Sequence, residues 1–161
     1  MGRKSTKENK SIYQMAREEA NLTREAASEK MGYISADRLE RIESGKAVPQ
    51  PSEVITMGEC YKAPMLCNRY CTHECSIGKL CVREIEMKDL SKITLEMLAS
   101  INSLYRQRER LIDITVDGVI EEAEMKDFKE IKETLGKMSI AIDSLKMWVN
   151  NAIANGTMKG E

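Results

Sequence analysis

The sequence predicts an all-α protein in which four to five short helices form an N-terminal head and a long helical hairpin follows. Aromatic residues make up only 4% of the 161 residues and charged residues 32%, while Leu, Ile, Met, Ala, Glu and Lys recur at helical spacing. Caps and glycines divide the N-terminal part into short segments, whereas two long periodic runs fill the C-terminal half. A chain of this length has room for one or two domains.

Four short helices are predicted within the head. The first lies in "SIYQMAREEA", the second begins after Thr23 and stops at Gly32, and the third begins after Ser35 and stops at Gly45. Two prolines then precede Ser52, which we expect to cap a fourth helix. The short gap between the second and third helices predicts a tight turn.

The chain has a net charge of -1 and a single histidine. The front half is mildly basic and the rest acidic, a distribution that suits a polyanion-binding head on an acidic body. Residues 1-9 are expected to form a flexible basic arm, and no apolar run reaches the ~20 residues of a membrane span. With no hydrophobic leader, nucleophile elbow, Gly-rich phosphate loop or acid pair, we expect a cytoplasmic protein that is not an enzyme and has no membrane partner.

The segment "LTREAASEKMGYISADRLERIESGKAVPQPSEVITMGECY" resembles the Cro/repressor-type (Xre-like, lambda-repressor-like) helix-turn-helix regulators. The likeness covers about residues 10-62 and implies a DNA-binding domain over 10-63. It assigns phosphate contacts to Thr23 and Arg24. It assigns base-edge contacts to Ser35, Ala36, Asp37, Arg38 and Arg41. Arg38 or Arg41 would pair with guanine in the major groove, and Asp37 would accept from cytosine.

Four of the five cysteines lie in "CNRYCTHECSIGKLC", within a predicted linker helix over residues 64-83. Cys67, Cys71 and Cys75 are spaced by four and would share one face of a continuous helix, where Cys60 or Cys81 could complete a four-thiolate site. Three interpretations remain open: packed free thiols, a structural zinc or iron-sulphur cluster, or disulfides. The segment also resembles one found in regulators of anaerobic Gram-positive bacteria and their mobile elements, and that likeness implies Cys60, Cys67, Cys71 and Cys75 as the ligand set.

Residues 84-161 are predicted to form two helices of roughly 25 to 35 residues, too narrow to bury their apolar stripes against each other alone. We therefore expect a homodimer whose two heads read two half-sites of double-stranded DNA. The intervening "DITVDGVIEEAE" has the spacing of a calcium loop, but an Asp117-Gly118 turn explains the same residues, so no calcium is expected.

Together these observations predict a DNA-binding transcriptional regulator, most simply a repressor, that acts as a homodimer. Two alternatives stay open. One is a protein-interaction factor, such as an antitoxin-like protein or a mobile-element inhibitor, and the other is a regulator that responds to metal or redox state through its cysteines.

Overall fold

The computed structural model describes residues 10-159, and the predicted basic arm of residues 1-9 lies outside them. The described chain is all-helical, as the sequence predicts. Its eight helices are α1 (Ile12–Glu19), α2 (Arg24–Met31), α3 (Ala36–Glu43), α4 (Pro51–Cys60), α5 (Met65–His73), α6 (Gly78–Cys81), α7 (Leu90–Thr115) and α8 (Met125–Ala154). They belong to two compact units. One extends to Glu84 and includes the C-terminal segment from Val149, and the other is Ile85–Trp148.

The predicted starts of α2 and α3 are confirmed at the level of their caps. The Thr23 hydroxyl accepts from the backbone N–H of Ala26 at 3.1 Å, and the Ser35 hydroxyl accepts from the N–H of Arg38 at 3.1 Å. Each bond satisfies one of the free N–H groups at a helix start. Gly32 ends α2 with a φ of +76°, a left-handed conformation that glycine adopts without strain.

The predicted start of α4 is wrong by two residues, because Gln50 rather than Ser52 is the capping residue. Pro51 occupies the first helical position, where its fixed φ suits a helix and its missing N–H costs nothing. The Glu53 carboxylate accepts from the backbone N–H of Gln50 at 2.6 Å and closes the first turn. A glutamate three residues after the cap was therefore the better signal.

The core of the head joins α1 through α5 around a small set of fully buried apolar side chains. Their largest members are Ile34, Leu39, Val54 and Met57, each 2% exposed or less. Ile34 lies in the turn between α2 and α3, and Leu39 lies on the inner face of α3. Burial of these residues fixes the angle between the two helices, so the outer face of α3 is presented by a rigid support.

The cysteine-rich segment forms two short helices, α5 and α6, instead of the single linker helix predicted over residues 64-83. Helix α5 ends at His73, and the chain then turns back so closely that a Cβ at Gly78 would overlap the carbonyl oxygen of Cys71 and lie 2.7 Å from its carbonyl carbon. Only glycine allows α6 to approach α5 so closely. The Tyr13 hydroxyl also donates to Glu74 at 2.6 Å, so this segment packs on α1 as part of the head unit.

The second unit contains α7 and most of α8, which are 26 and 30 residues long and agree with the lengths predicted. Residues 116-124 connect them through a turn in which the Asp117 carboxylate accepts from the N–H of Val119 at 3.0 Å. Arg110 of α7 donates to Asp127 of α8 at 2.6 Å and ties the helices beside this connection. Within residues 10-159, no helix combines the length and apolar character that a bilayer crossing requires.

Candidate nucleic-acid interface

The outward-facing surface of α2, the turn and α3 carries most of the residues that the sequence assigned to DNA contact. Thr23, Ser35, Asp37 and Arg41 are exposed, and Ala36 is partly exposed. The hydroxyls of Thr23 and Ser35 accept from the helix N–H groups, and the Thr23 hydroxyl also donates to the carboxylate of Glu25. Both helix starts present a positive dipole end, which favours a phosphate, although the Glu25 carboxylate opposes an anion at the start of α2.

A buried ion network locks α1, α2 and α3 together behind this surface. Glu43, only 5% exposed, accepts from Arg17 Nε at 2.6 Å and from Arg17 Nη2 at 2.9 Å. Arg24 Nε donates to the same carboxylate at 2.8 Å, and Arg17 Nη1 donates to the carbonyl of Leu22 at 2.7 Å. The hydrogen bond to Glu43 is the main reason that the pKa of Arg17 is raised.

Two guanidinium groups share the Glu43 carboxylate, and the exposed carboxylate of Glu25 at the start of α2 lies in the field of both arginines. The side chain of Arg24 is 35% exposed and is the member that reaches the surface. Its guanidinium carries five N–H donors, and the Nε–H donates to the Glu43 carboxylate. This geometry is compatible with the predicted phosphate contact, since a donor fixed from behind can present its other N–H groups to an anion.

Arg38 is not free to read bases in this structure. Its Nε and Nη2 donate to the two oxygens of Glu53 at 2.8 and 2.7 Å, and Nη2 also donates to the carbonyl of Val48 at 3.0 Å. This bidentate pair joins α3 to the start of α4. The same hydrogen bonds raise the pKa of Arg38 and hold the pKa of Glu53 below its usual value. A base-edge contact by Arg38 stays a prediction, and it would require this pair to open.

Arg41 is the cation that α3 leaves available. It is exposed, and its guanidinium has no hydrogen bond or ion pair to any residue between 10 and 159. At 100° per residue it shares the outer face of α3 with Asp37 and Glu40, which are also exposed. That face therefore carries two carboxylates and one guanidinium, so its attraction for a polyanion is weak and local to Arg41.

Tyr33 and Lys46 border this face and were missed in the sequence. Tyr33 is 60% exposed, and its hydroxyl bonds to Thr56 at 2.8 Å and to the carbonyl of Ser52 at 3.1 Å. The ring is thereby held against α4 beside the turn. Lys46 is exposed just beyond α3 and adds a second cation near Arg41. The flanking Gly32 and Gly45 were visible signals of exposed turns at these two positions.

Comparison with known proteins agrees with this geometry. Residues 14-65 match the family model described as a helix-turn-helix domain. The match covers about a third of the chain, contains α2 to α4 whole and most of α1, and supports a DNA-binding regulator. Comparison with curated proteins and with solved structures gave no match. The similarity to helix-turn-helix domains thus lies in the segment that contains α2, the turn and α3.

Within the described residues, the cysteine side chains are not gathered into the four-thiolate arrangement that the sequence suggested. Across residues 10-159, no three His, Cys, Asp or Glu side chains are placed so that they could hold a metal ion. Cys67 Sγ packs toward Gly58, whereas Cys60 lies in the field of Lys30 on another side of α4. The chain reverses between them, and α5 ends before Cys75 is reached. A zinc or iron-sulphur cluster stays a prediction that this arrangement does not fit.

The thiols themselves resemble packed side chains more than reactive ones. All five are free, and only Cys81 is exposed. Burial raises the pKa of Cys60 and of Cys67, so these two are protonated near neutral pH and are poor nucleophiles. Cys75 Sγ accepts from the backbone N–H of Gly78 at 3.4 Å and so supports the start of α6. These contacts favour the interpretation of the cysteines as small packing residues.

Proposed function

We propose that this chain is a sequence-specific DNA-binding transcriptional regulator that acts as a cytoplasmic homodimer and represses by occupying an operator. The observation that carries the proposal is the rigid α2-turn-α3 unit, whose capped helix starts and free Arg41 face outward. In this role α3 lies in the major groove and α2 crosses the backbone. The chain binds and positions, and no catalytic step is assigned to it.

The proposed contacts follow the accessibility of each group. Thr23 and Arg24 bind phosphates at the start of α2. Ser35, Ala36, Asp37 and Arg41 contact base edges, with Arg41 on a guanine and Asp37 accepting from a cytosine amino group. Arg38 is proposed as a brace that holds α3 on α4. The resemblance of the cysteine segment to regulators of anaerobic Gram-positive bacteria and their mobile elements supports an operator in that setting.

The experiment first selects DNA duplexes that the chain binds and then measures how single substitutions change that binding. Duplexes enriched from a random library by the full chain are measured by fluorescence anisotropy with the wild type and with Arg41→Ala. We expect Arg41→Ala to raise the Kd by about 10- to 100-fold, as loss of one bidentate base contact does, and to relax selection at one position. Arg83→Ala, which removes an exposed cation outside the α2-turn-α3 unit, should leave the Kd within about twofold. Failure to enrich any duplex would refute the proposal.

A protein-interaction factor is the second candidate, and one observation favours it. Ile77, Leu80 and Val82 are exposed together around α6, with Leu80 88% exposed. Exposed apolar side chains of this size favour a protein contact. If no duplex is enriched while the chain remains folded, this surface becomes the better candidate for function.

A further inference from the structure

Tyr33 is a large aromatic residue that is exposed and yet held in one place. It lies in the turn between α2 and α3, and 60% of it is exposed. Its hydroxyl is 2.8 Å from the hydroxyl of Thr56 and 3.1 Å from the carbonyl oxygen of Ser52, one helical turn earlier on α4. These bonds fix the far end of the side chain, while the face of the ring stays open. The ring is therefore preorganised for a contact, because binding would cost it little rotamer freedom.

The hydroxyl of Tyr33 has no hydrogen left to donate to an outside group. A phenol carries one hydrogen, and here that hydrogen is directed either to the Thr56 hydroxyl or to the Ser52 carbonyl. The part of Tyr33 that it offers to a partner is therefore the apolar ring. A phosphate is a poor match for such a group, because phosphate contacts in DNA complexes are made by cations and by N–H and O–H donors.

The charged groups at the start of α4, where the ring is anchored, neutralise each other. Glu53 directly follows Ser52, and its two carboxylate oxygens accept from Arg38 at 2.8 and 2.7 Å. Arg38 also donates to the carbonyl of Val48 at 3.0 Å, and Val48 is 67% exposed. The start of α4 therefore presents apolar surface around a closed ion pair. Such a surface suits an apolar group of a partner better than a charged one.

The same contacts place Tyr33 beside the start of α3. Ser35, which caps α3, follows Tyr33 by two residues, and Arg38 in the first turn of α3 is bonded to the residue next to Ser52. In the proposed function the first residues of α3 enter the major groove. Apolar side chains in that groove contact the C5-methyl group of thymine, and uracil is the same base without that group.

We infer that Tyr33 is a specificity-determining residue whose ring packs on the C5-methyl group of a thymine at the edge of the half-site that α3 reads. The inference rests on the proposed function for the presence of DNA against α3. It adds a residue that the resemblance does not assign and a base that this residue selects. The contacts with Ser52 and Thr56 hold the ring in the position from which it meets the methyl group.

The experiment removes the methyl group from the DNA and the ring from the protein, separately and together. Duplexes enriched by the full chain are remade with uracil in place of one thymine at a time, which keeps the hydrogen bonds of the base pair. For the wild type, uracil at one position should raise the Kd by about fourfold, the ratio expected when the burial of one methyl group is lost. Tyr33→Ala should raise the Kd for the thymine duplex by at least about fourfold and should bind the thymine and uracil duplexes equally well.

Two further variants separate a base contact from a structural role of Tyr33. Tyr33→Phe keeps the ring and loses the contacts of the hydroxyl, so it should retain a preference for thymine over uracil. Ile77→Ala removes an exposed apolar side chain beside α6 and should change neither the Kd nor that preference. A Tyr33 that only holds the turn on α4 would, when replaced by Ala, raise the Kd for both duplexes by the same factor and leave the preference for thymine intact.

The outcomes separate the inference from the proposed function. Equal preference for thymine in the wild type and in Tyr33→Ala, at every position, would overturn the inference and leave the regulator standing. Enriched duplexes in which no thymine is sensitive to replacement by uracil would do the same. If the folded chain enriches no duplex at all, the proposed function fails and the role of Tyr33 fails with it.

Discussion

The change Glu43→Gln is expected to destabilise the helix-turn-helix domain by about 3 to 5 kcal/mol, the usual cost of breaking a buried ion pair by removing one member. The carboxylate is 5% exposed and accepts three hydrogen bonds from Arg17 and Arg24, each charge-assisted. Glutamine keeps the shape but offers one acceptor oxygen and turns an NH₂ group toward guanidinium donors. Arg17, itself 7% exposed, would then be a buried cation without a counter-charge.

The assay is urea unfolding followed by circular dichroism, combined with hydrogen exchange and mass spectrometry to assign the lost stability to α1, α2 and α3. Marginal stability of roughly 5 to 15 kcal/mol is normal for a domain, so a loss of this size should bring local opening into an easily measured range. Glu40→Gln is the matched control, since Glu40 is exposed on the same helix and makes no side-chain contact within residues 10-159. It should change stability by less than about 0.5 kcal/mol. If Glu43→Gln and Glu40→Gln have equal effects, the network does not hold the helices together and the reasoning is wrong.

Two further predictions concern α4 to α6. The hydrogen bonds from Arg38 hold the pKa of Glu53 below its usual value of 4.5, so this pair stabilises the fold above that pH and loses its contribution as the pH falls through the lower folded-state value. Urea midpoints measured downward from pH 4.5 should therefore fall less steeply for Glu53→Gln than for the wild type, and parallel profiles would contradict the assignment. Gly78→Ala should destabilise by about 1 to 3 kcal/mol, because its Cβ would overlap the backbone of Cys71. Gly58→Ala should be neutral or slightly stabilising, because its Cβ would lie 3.5 Å from the carbonyl oxygen of Ala63 in ordinary contact; equal effects of the two changes on thermal unfolding would refute the packing argument.

The caps of α2 and α3 and the end of α2 were predicted correctly because each depends only on residues close by in the sequence. Thr23 and Ser35 cap helices whose N–H groups lie only three residues away, and Gly32 stops a helix through its own φ. The start of α4 was missed because Ser52 was preferred to the Gln50-Glu53 combination, although both signals were within reach. The all-α class and the two long helices followed from periodicity, which depends only on composition and spacing.

Pairings over longer separations could not be read in this way. The resemblance assigned Arg38 to a base edge, but its partner Glu53 is 15 residues away on a helix whose approach depends on the core. Arg17 and Glu43 are 26 residues apart and lie on two different helices. The shared face predicted for Cys67, Cys71 and Cys75 also depended on more than local signals. A spacing of four implies one face only if the helix is continuous, and α5 ends at His73, before Cys75.

The weak cationic character of α3 has a direct consequence for the proposed function. A single head offers Arg41 and Lys46 against Asp37 and Glu40, so phosphate attraction adds little beyond the contacts at the start of α2. Such a head discriminates through geometry more than it binds through charge, and its affinity for one half-site is low. Joining two heads makes the second contact intramolecular and multiplies affinity by the effective concentration without any new cation. Dimerisation would then determine whether the operator is occupied.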